Sequence, residues 1–321
     1  MCGICGFVSK RSQAMDTLVQ MNSTLAHRGP DDHGEEIYQI KDGRYVGFAQ
    51  RRLSIMDLSE KGHQPMHSPD KRISVVFNGE IYNYRALREE IKEYSFVSDC
   101  DTEVIVAAYL KWGIDFVHRI NGMFAIALLD RALGIVYLIR DRIGKKPLYY
   151  YRGSENTIVF ASELKAILQS GLFQKEINQE VIGRFLYRSY ITSPDTIYRN
   201  TYKLEAGSIL EVREESVTQY KYWDVAAKYN ERKGSRIEDY GQAKDSLKQL
   251  LKEAVRKRMV ADVPVGAFLS GGYDSSLVCA VAQEMSSEPI KTFSIGFYDE
   301  KFNEAVYAKQ VADVLGTDHQ E

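Results

Sequence analysis

Met1-Cys2-Gly3-Ile4-Cys5-Gly6-Phe7-Val8 opens the chain. Ile4–Val8 is short, apolar and interrupted by small residues, the habit of a buried strand. A cysteine stands immediately before it. Once Met1 is removed, Cys2 carries a free α-amine beside its thiol. An amine with a pKa of about 8 is partly free base at neutral pH, and a thiol of about 8.5 is partly thiolate. The pair is an activation device in which the amine takes the proton and the sulfur attacks. Other chemistry uses the same residues. Cys2 and Cys5 are spaced as a redox pair or as half a zinc site. A redox CxxC opens a helix after a strand, however, and a zinc site needs a second close Cys/His pair, while Cys100 and Cys279 stand alone. A thiol redox or metal-binding module built on Cys2 and Cys5 remains the reading from a different class. It predicts a bound metal or a reversible disulfide.

Outward from that strand, further strand-like runs follow at Tyr45–Ile55, Ile73–Phe77, Met123–Leu129, Gly134–Ile139, Pro147–Tyr151 and Thr157–Ala161. Helical spacing interrupts them at Gln13–Leu25, with Leu18, Met21 and Leu25 on one face, and at Arg85–Glu93 and Thr102–Lys111. Strands joined by short turns and grouped apart from helices predict layered antiparallel sheets covered by helices. The character changes after about residue 215. Tyr229–Tyr240 is polar, like a linker, and a helix is expected over Ala243–Met259. A strand (Val265–Leu269), a tight loop (Ser270–Ser275) and a helix (Ser276–Glu284) come next. A strand (Lys291–Gly296) and a helix (Glu304–Leu315) follow. The alternation predicts a parallel, doubly wound sheet. Two strands do not make a stable parallel sheet, so this sheet is expected to be unfinished and the chain to be cut short. The expected division is 1–215 and 216–321.

The bulk properties bound the function. The chain has 321 residues, 44% of them hydrophobic and 27% charged, with a net charge of −2. Nothing there marks nucleic acid or an anionic membrane as a partner. No apolar run is long enough for a membrane helix, and the N-terminus lacks the basic-then-apolar order of a signal peptide. A cytoplasmic location is expected, with four cysteines too few for a disulfide framework.

Several segments have the chemistry of a site for a small zwitterion. His27-Arg28-Gly29-Pro30-Asp31-Asp32 is a turn dense in charge. Arg52, at the end of a strand, suits a two-pronged bond to a carboxylate, or serves as a surface charge. Asn78 and Gly79 at one turn can both point donors at an oxyanion, or form a hairpin turn. Asp101 can pair with a ligand ammonium, or cap a helix. Further on, Ser270-Gly271-Gly272-Tyr273-Asp274-Ser275 joins a strand to a helix. Its glycines let the backbone wrap an anion, its helix start adds N–H donors, its hydroxyls suit phosphate oxygens, and Asp274 suits Mg²⁺. It is neither a Walker loop nor a dinucleotide fingerprint.

In order, MCGICGF, HRGPD, RRLSIMDL, FNGEIYNY and SDCDTEV closely resemble the class II, N-terminal-nucleophile glutamine amidotransferases. RDRIGKKPLYY and FASELKAIL look like the asparagine synthetase branch, and the resemblance spans essentially the whole chain. It implies a four-layer αββα glutaminase domain of α+β class, followed by the start of an α/β ATP-pyrophosphatase domain. It implies Cys2 as nucleophile, its α-amine as base, and Asn78 and Gly79 as the oxyanion hole. Arg52 and Asp101 would hold the α-carboxylate and α-amine of glutamine, with Leu53, Ile55, Met56 and Glu80 around them. Ser270, Gly271, Gly272, Asp274 and Ser275 would form a pyrophosphate loop for ATP and Mg²⁺, with Leu269 and Ile295 at the adenine. Tyr273 stands where the family's loop commonly has Leu. The implied substrates are glutamine, ATP and aspartate, or another carboxylate such as a sugar acid in surface-polysaccharide synthesis. Homodimers are common in the family.

Overall fold

The opening stretch forms β1 (Gly3–Ser9), buried along its whole length. Ile4 and Val8 face one side and Cys5 and Phe7 the other, the period of two that a pleated strand imposes. The structure is a computed structural model and describes residues 1–321. After β1 come α1 (Met15–Ser23), β2 (Asp32–Gln39), β3 (Tyr45–Arg52), β4 (Met66–His67), β5 (Ile73–Ile81), α2 (Tyr84–Glu90), α3 (Asp101–Trp112) and β6 (Gly122–Asp130). The chain continues through β7 (Ile135–Arg140), β8 (Tyr149–Arg152), β9 (Ile158–Ala161), α4 (Leu164–Leu168), α5 (Gln179–Arg188), β10 (Thr201–Lys203), β11 (Ser208–Val212) and β12 (Val217–Lys221).

These strands build two antiparallel six-stranded sheets, ordered β10-β8-β9-β1-β3-β2 and β12-β11-β7-β6-β5-β4. Ile4, Phe48 and Phe160 of the first sheet pack against Val76, Leu129 and Leu138 of the second, so each sheet's inner face is closed by the other. Leu18, Met21 and Leu25 cover the outer face of the first sheet with Ala166 and Ile167 of α4. On the second sheet, α3 packs against β5 and buries Val104 through Tyr109. The layering is therefore helix, sheet, sheet, helix, the αββα order that the motifs imply.

Four local expectations change. β3 ends at Arg52, so Leu53–Ile55 is loop rather than strand. β5 runs on to Ile81, so Asn78, Gly79 and Glu80 lie inside a strand, paired with Ala125, Phe124 and Met123, and do not form a turn. These three residues are poor strand formers, but the apolar β6 opposite them sets the pairing. β2 is an acidic edge strand whose charges hide its period. The expected boundary at 215 would cut the β11–β12 hairpin, which belongs to a unit spanning Met1–Lys228.

The second unit is Tyr229–Glu321. Helix α6 (Val225–Arg232) takes the first four residues of the expected 229–240 linker, and 233–239 lies outside any helix or strand. Then come α7 (Tyr240–Arg258), β13 (Gly266–Phe268), α8 (Tyr273–Glu284), β14 (Lys291–Phe293), α9 (Ala305–Leu315) and β15 (Asp318–Gln320). The three strands are parallel in the order β13-β14-β15. Leu269, Cys279, Ala308 and Ala312 form a small core beneath them. β15 adds a third strand to the two expected. Its Asp-His-Gln sequence carries no apolar signal, and its ladder to β14 is made by main-chain groups. No helix of the chain is long and apolar enough to cross a membrane.

Candidate active site

Cys2 sits just ahead of β1. The Arg28 Nε–H donates to the Cys2 carbonyl at 2.9 Å, and Arg28 Nη1 pairs with Glu163 at 2.9 Å. The charged turn at His27–Asp32 thus lies behind Cys2. Asp31 continues that support, accepting the Ser54 N–H at 2.8 Å. The Cys2 sulfur accepts the Leu53 N–H at 3.4 Å, which ties it to the loop after β3.

The second wall is the outer edge of β5. Three N–H groups, two residues apart, leave that edge because alternate strand residues point their donors the same way. The Phe77 N–H is taken by Gln64 Oε1 at 2.7 Å and the Ile81 N–H by Asp101 Oδ2 at 2.8 Å. Gly79 lies between them, and its N–H faces the same edge with no strand beside it. Any side chain there is blocked, since a Cβ at Gly79 would lie 2.2 Å from the Met123 carbonyl oxygen. The neighbouring Asn78 side chain is fully buried, and neither its amide nitrogen nor its oxygen has a partner. A buried, unpaired amide is costly in a fold and marks a place where a ligand completes the bonding.

These groups open onto one cavity of about 370 Å³, which the Cys2, Asn78, Gly79, Glu80 and Asp101 side of the wall shares with Arg52, Leu53, Ile55 and Met56. Every residue assigned to glutamine from sequence lines it. Asp101 is the first residue of α3, and its carboxylate bonds across to β5 rather than capping its own helix. Burial pushes its pKa up to about 6, with the nearby Glu80 adding to the rise and the Ile81 N–H opposing it. Arg52 is 5% exposed and donates to the carbonyls of Ser59, Met56 and Asp57. The guanidinium is first of all a clamp on the 53–59 loop. Its remaining donors are those a ligand carboxylate would meet. Burial pushes the Cys2 thiol up, and the Leu53 N–H counters it. Gln64 and Lys146 also line the cavity; Lys146 lies in the RDRIGKKPLYY run but was given no role from sequence, and Gln64 carried no signal. A lone glutamine and one lysine of a basic pair read as surface.

In the second unit the Ser270 and Ser275 hydroxyls lie 3.0 Å apart, and Ser275 Oγ also accepts the Ser270 N–H at 3.3 Å. Gly271 has φ +78°, and a Cβ there would lie 2.7 Å from the Tyr307 main chain. Gly272 caps α8, so the free N–H groups of that helix's first turn open beside the two hydroxyls. This donor set fits a phosphate. Asp274 lies in the same first turn. The chain gathers no cluster of three or more His, Cys, Asp or Glu that could hold a metal, at Cys2 and Cys5 or elsewhere. A Mg²⁺ at Asp274 would therefore draw its other oxygens from phosphate and water. The Leu269 side chain is buried in the small core, leaving only its main chain for a ligand, and Ile295 is 68% exposed beyond β14.

The cavity and the four layers define a class, and comparison with known proteins agrees with it. Residues 1–223 match the glutamine amidotransferase domain family. The chain belongs to that family. Residues 246–321 match the asparagine synthase family. A relative described as putative asparagine synthetase [glutamine-hydrolyzing] 2, from Methanocaldococcus jannaschii, is 40% identical over 99% of this chain and 64% of its own length. Asparagine synthetase [glutamine-hydrolyzing] 1 of Bacillus subtilis is 35% identical over 99% of this chain and 49% of its own length. The chain thus spans about half to two thirds of the length of these relatives. Among solved structures, a glutamine phosphoribosylpyrophosphate amidotransferase from B. subtilis matches 99% of this chain and 65% of its own, with a TM-score of 0.51 at 14% identity, a likeness of fold.

Proposed function

We propose that Cys2, freed of Met1, attacks the side-chain amide carbon of glutamine while its α-amine takes the thiol proton. The carbonyl oxygen becomes an oxyanion between the Asn78 amide and the Gly79 N–H. The C–N bond then breaks, the protonated α-amine gives its proton to the departing nitrogen, and ammonia leaves a thioester on Cys2. Water, deprotonated by the same amine, hydrolyses the thioester to glutamate. Asp101 holds the substrate ammonium, and Arg52 its carboxylate. Leu53, Ile55, Met56 and Glu80 line the same pocket.

The observation that carries this reading is the single uncapped N–H of β5, opening beside an unpartnered buried amide and a cysteine at the chain's start. The test is glutamate release by wild type and Cys2→Ala, after mass measurement shows Met1 to be gone. Release that disappears in Cys2→Ala supports the reading, and equal release by both proteins overturns it.

The wider reaction follows from the family matches. Ser270, Gly271, Gly272 and Ser275 would grip the ATP phosphates and Asp274 a Mg²⁺, with the Leu269 main chain and Ile295 near the adenine. ATP supplies the leaving group: the aspartate side-chain carboxylate attacks its α-phosphate, pyrophosphate departs, and ammonia displaces AMP. Aspartate, glutamine, ATP and water give asparagine, glutamate, AMP and pyrophosphate. Four free thiols suit a reducing compartment, and we place the protein in the cytoplasm.

A further inference from the structure

Between β7 and β8 the chain makes a turn, Arg140–Pro147, whose charged residues are bonded to main chain. Asp141 is 1% exposed and accepts the N–H groups of Phe124 at 3.2 Å, Ile143 at 3.2 Å, Lys145 at 3.0 Å and Lys146 at 2.9 Å. Arg140 donates to the carbonyls of Lys146 at 2.8 Å, Gly144 at 2.9 Å and Leu204 at 2.6 Å. Arg142 donates to the Ile120 carbonyl at 2.8 Å. So many main-chain bonds leave the turn one conformation.

That conformation delivers Lys146. Its side chain is 6% exposed and forms part of the cavity wall that contains Cys2. An ammonium taken out of water is costly unless negative charge meets it. Glu80 of β5 and Cys2 share that cavity wall, and with Asp141 they are the groups near enough to favour the ammonium, with Arg28 as the like charge. Of the three that favour it, Cys2 is the one that becomes an anion as it reacts. The influence runs both ways. Burial pushes the Cys2 thiol up, Asp101 adds to that, and the Leu53 N–H and Lys146 pull it down. The positive charge thus makes the sulfur easier to ionise.

We propose that the Lys146 ammonium is the fixed positive charge that stabilises the Cys2 sulfur as it loses its proton and attacks. Lys146 is a positioning residue for the nucleophile and not a ligand for substrate. The proposal deepens the glutaminase reading and rests on it.

The test does not need glutamine turnover, so the two readings fail separately. Alkylation of the Met1-processed chain by iodoacetamide is followed from about pH 6 to about pH 10. Cys5, Cys100 and Cys279 are buried, and Cys2→Ser supplies the blank. In Lys146→Met the midpoint moves up by about one pH unit and labelling at neutral pH slows about tenfold, whereas Lys146→Arg stays within about twofold. Glutamate release follows the same order, in kcat rather than in KM for glutamine. An unshifted alkylation profile in a Lys146→Met protein that melts cooperatively overturns the proposal. So does a change confined to KM, which belongs to a carboxylate ligand. Should Lys146→Met fail to melt cooperatively, Lys146→Gln repeats the comparison with a polar side chain in the wall. A wild type with a Lys146-dependent profile but no glutamate release sinks the glutaminase reading and leaves the charge effect standing.

Discussion

The cavity at Cys2 and the Ser270–Ser275 loop are two ways of presenting N–H donors to a ligand. In the first, the donors come from a strand between sheet and helix, and two of the charged groups around them, Arg52 and Asp101, are each 5% exposed. In the second, Ser270, Gly272 and Asp274 are exposed, and the serines bond mainly to each other and to nearby main chain. The first site is held rigid by the fold whether or not a ligand is present. The second is a short loop at a helix start, where the ligand supplies the missing bonds. Burial is also what shifts the pKa values of Cys2 and Asp101 in the first site.

The widest separation between the two comes from Asn78→Ala. The amide has no partner in the fold, so its loss breaks no native hydrogen bond, and the melting temperature should hardly move. Glutamate release should nevertheless fall on the order of 100–1,000-fold in kcat, the worth of one oxyanion donor. An equal loss of stability would show that the side chain serves the fold instead.

Acidification is the next largest effect. Because burial raises Asp101 from its ordinary 3.8 to about 6, a proton neutralises it below that pH. KM for glutamine should rise about tenfold per pH unit below the midpoint as the ammonium partner is lost. Stability runs the other way. A carboxyl whose pKa is raised on folding contributes stability below its unfolded value and loses it as pH rises through about 6. Steady-state kinetics and melts on the same samples should therefore diverge with pH, and Asp101→Asn should remove both trends.

Gly271→Ala tests the loop. A left-handed φ and the nearby Tyr307 main chain both oppose a Cβ, so ATP affinity, read by isothermal titration, should drop about tenfold. The smallest effect is expected of Glu163→Gln. Its pair with Arg28 is partly exposed at Glu163, 27% of the side chain, so kcat for glutamate release should change by no more than about threefold. A larger loss would move Glu163 from the support of Cys2 into the site itself.

Much of this was legible in the sequence, for identifiable reasons. The Leu18-Met21-Leu25 spacing marks a helix face, and the short apolar run Ile4–Val8 marks a strand, which the fold buries on both sides. The residues expected around glutamine do surround one cavity. What escaped was structure imposed by a neighbour. Asn78-Gly79-Glu80 has the composition of a turn and becomes strand because β6 is apolar and paired along its length. β15 is polar throughout and exists through main-chain pairing to β14. Lys146 looked like any surface lysine, because nothing local in the sequence reveals that Asp141 and Arg140 fold its turn inward.

The outer edge of β5 has one more consequence. An open strand edge is a template on which a second chain can add, and proteins protect themselves by covering it. Here Gln64 and Asp101 act as gatekeepers, each occupying one donor and leaving a gap a single peptide wide at Gly79. A small amide fits that gap; another β-strand, which needs several consecutive rungs, does not. Enlarging the gap by truncating both gatekeepers would leave a longer adhesive edge, so a doubly substituted chain should self-associate more readily than either single variant.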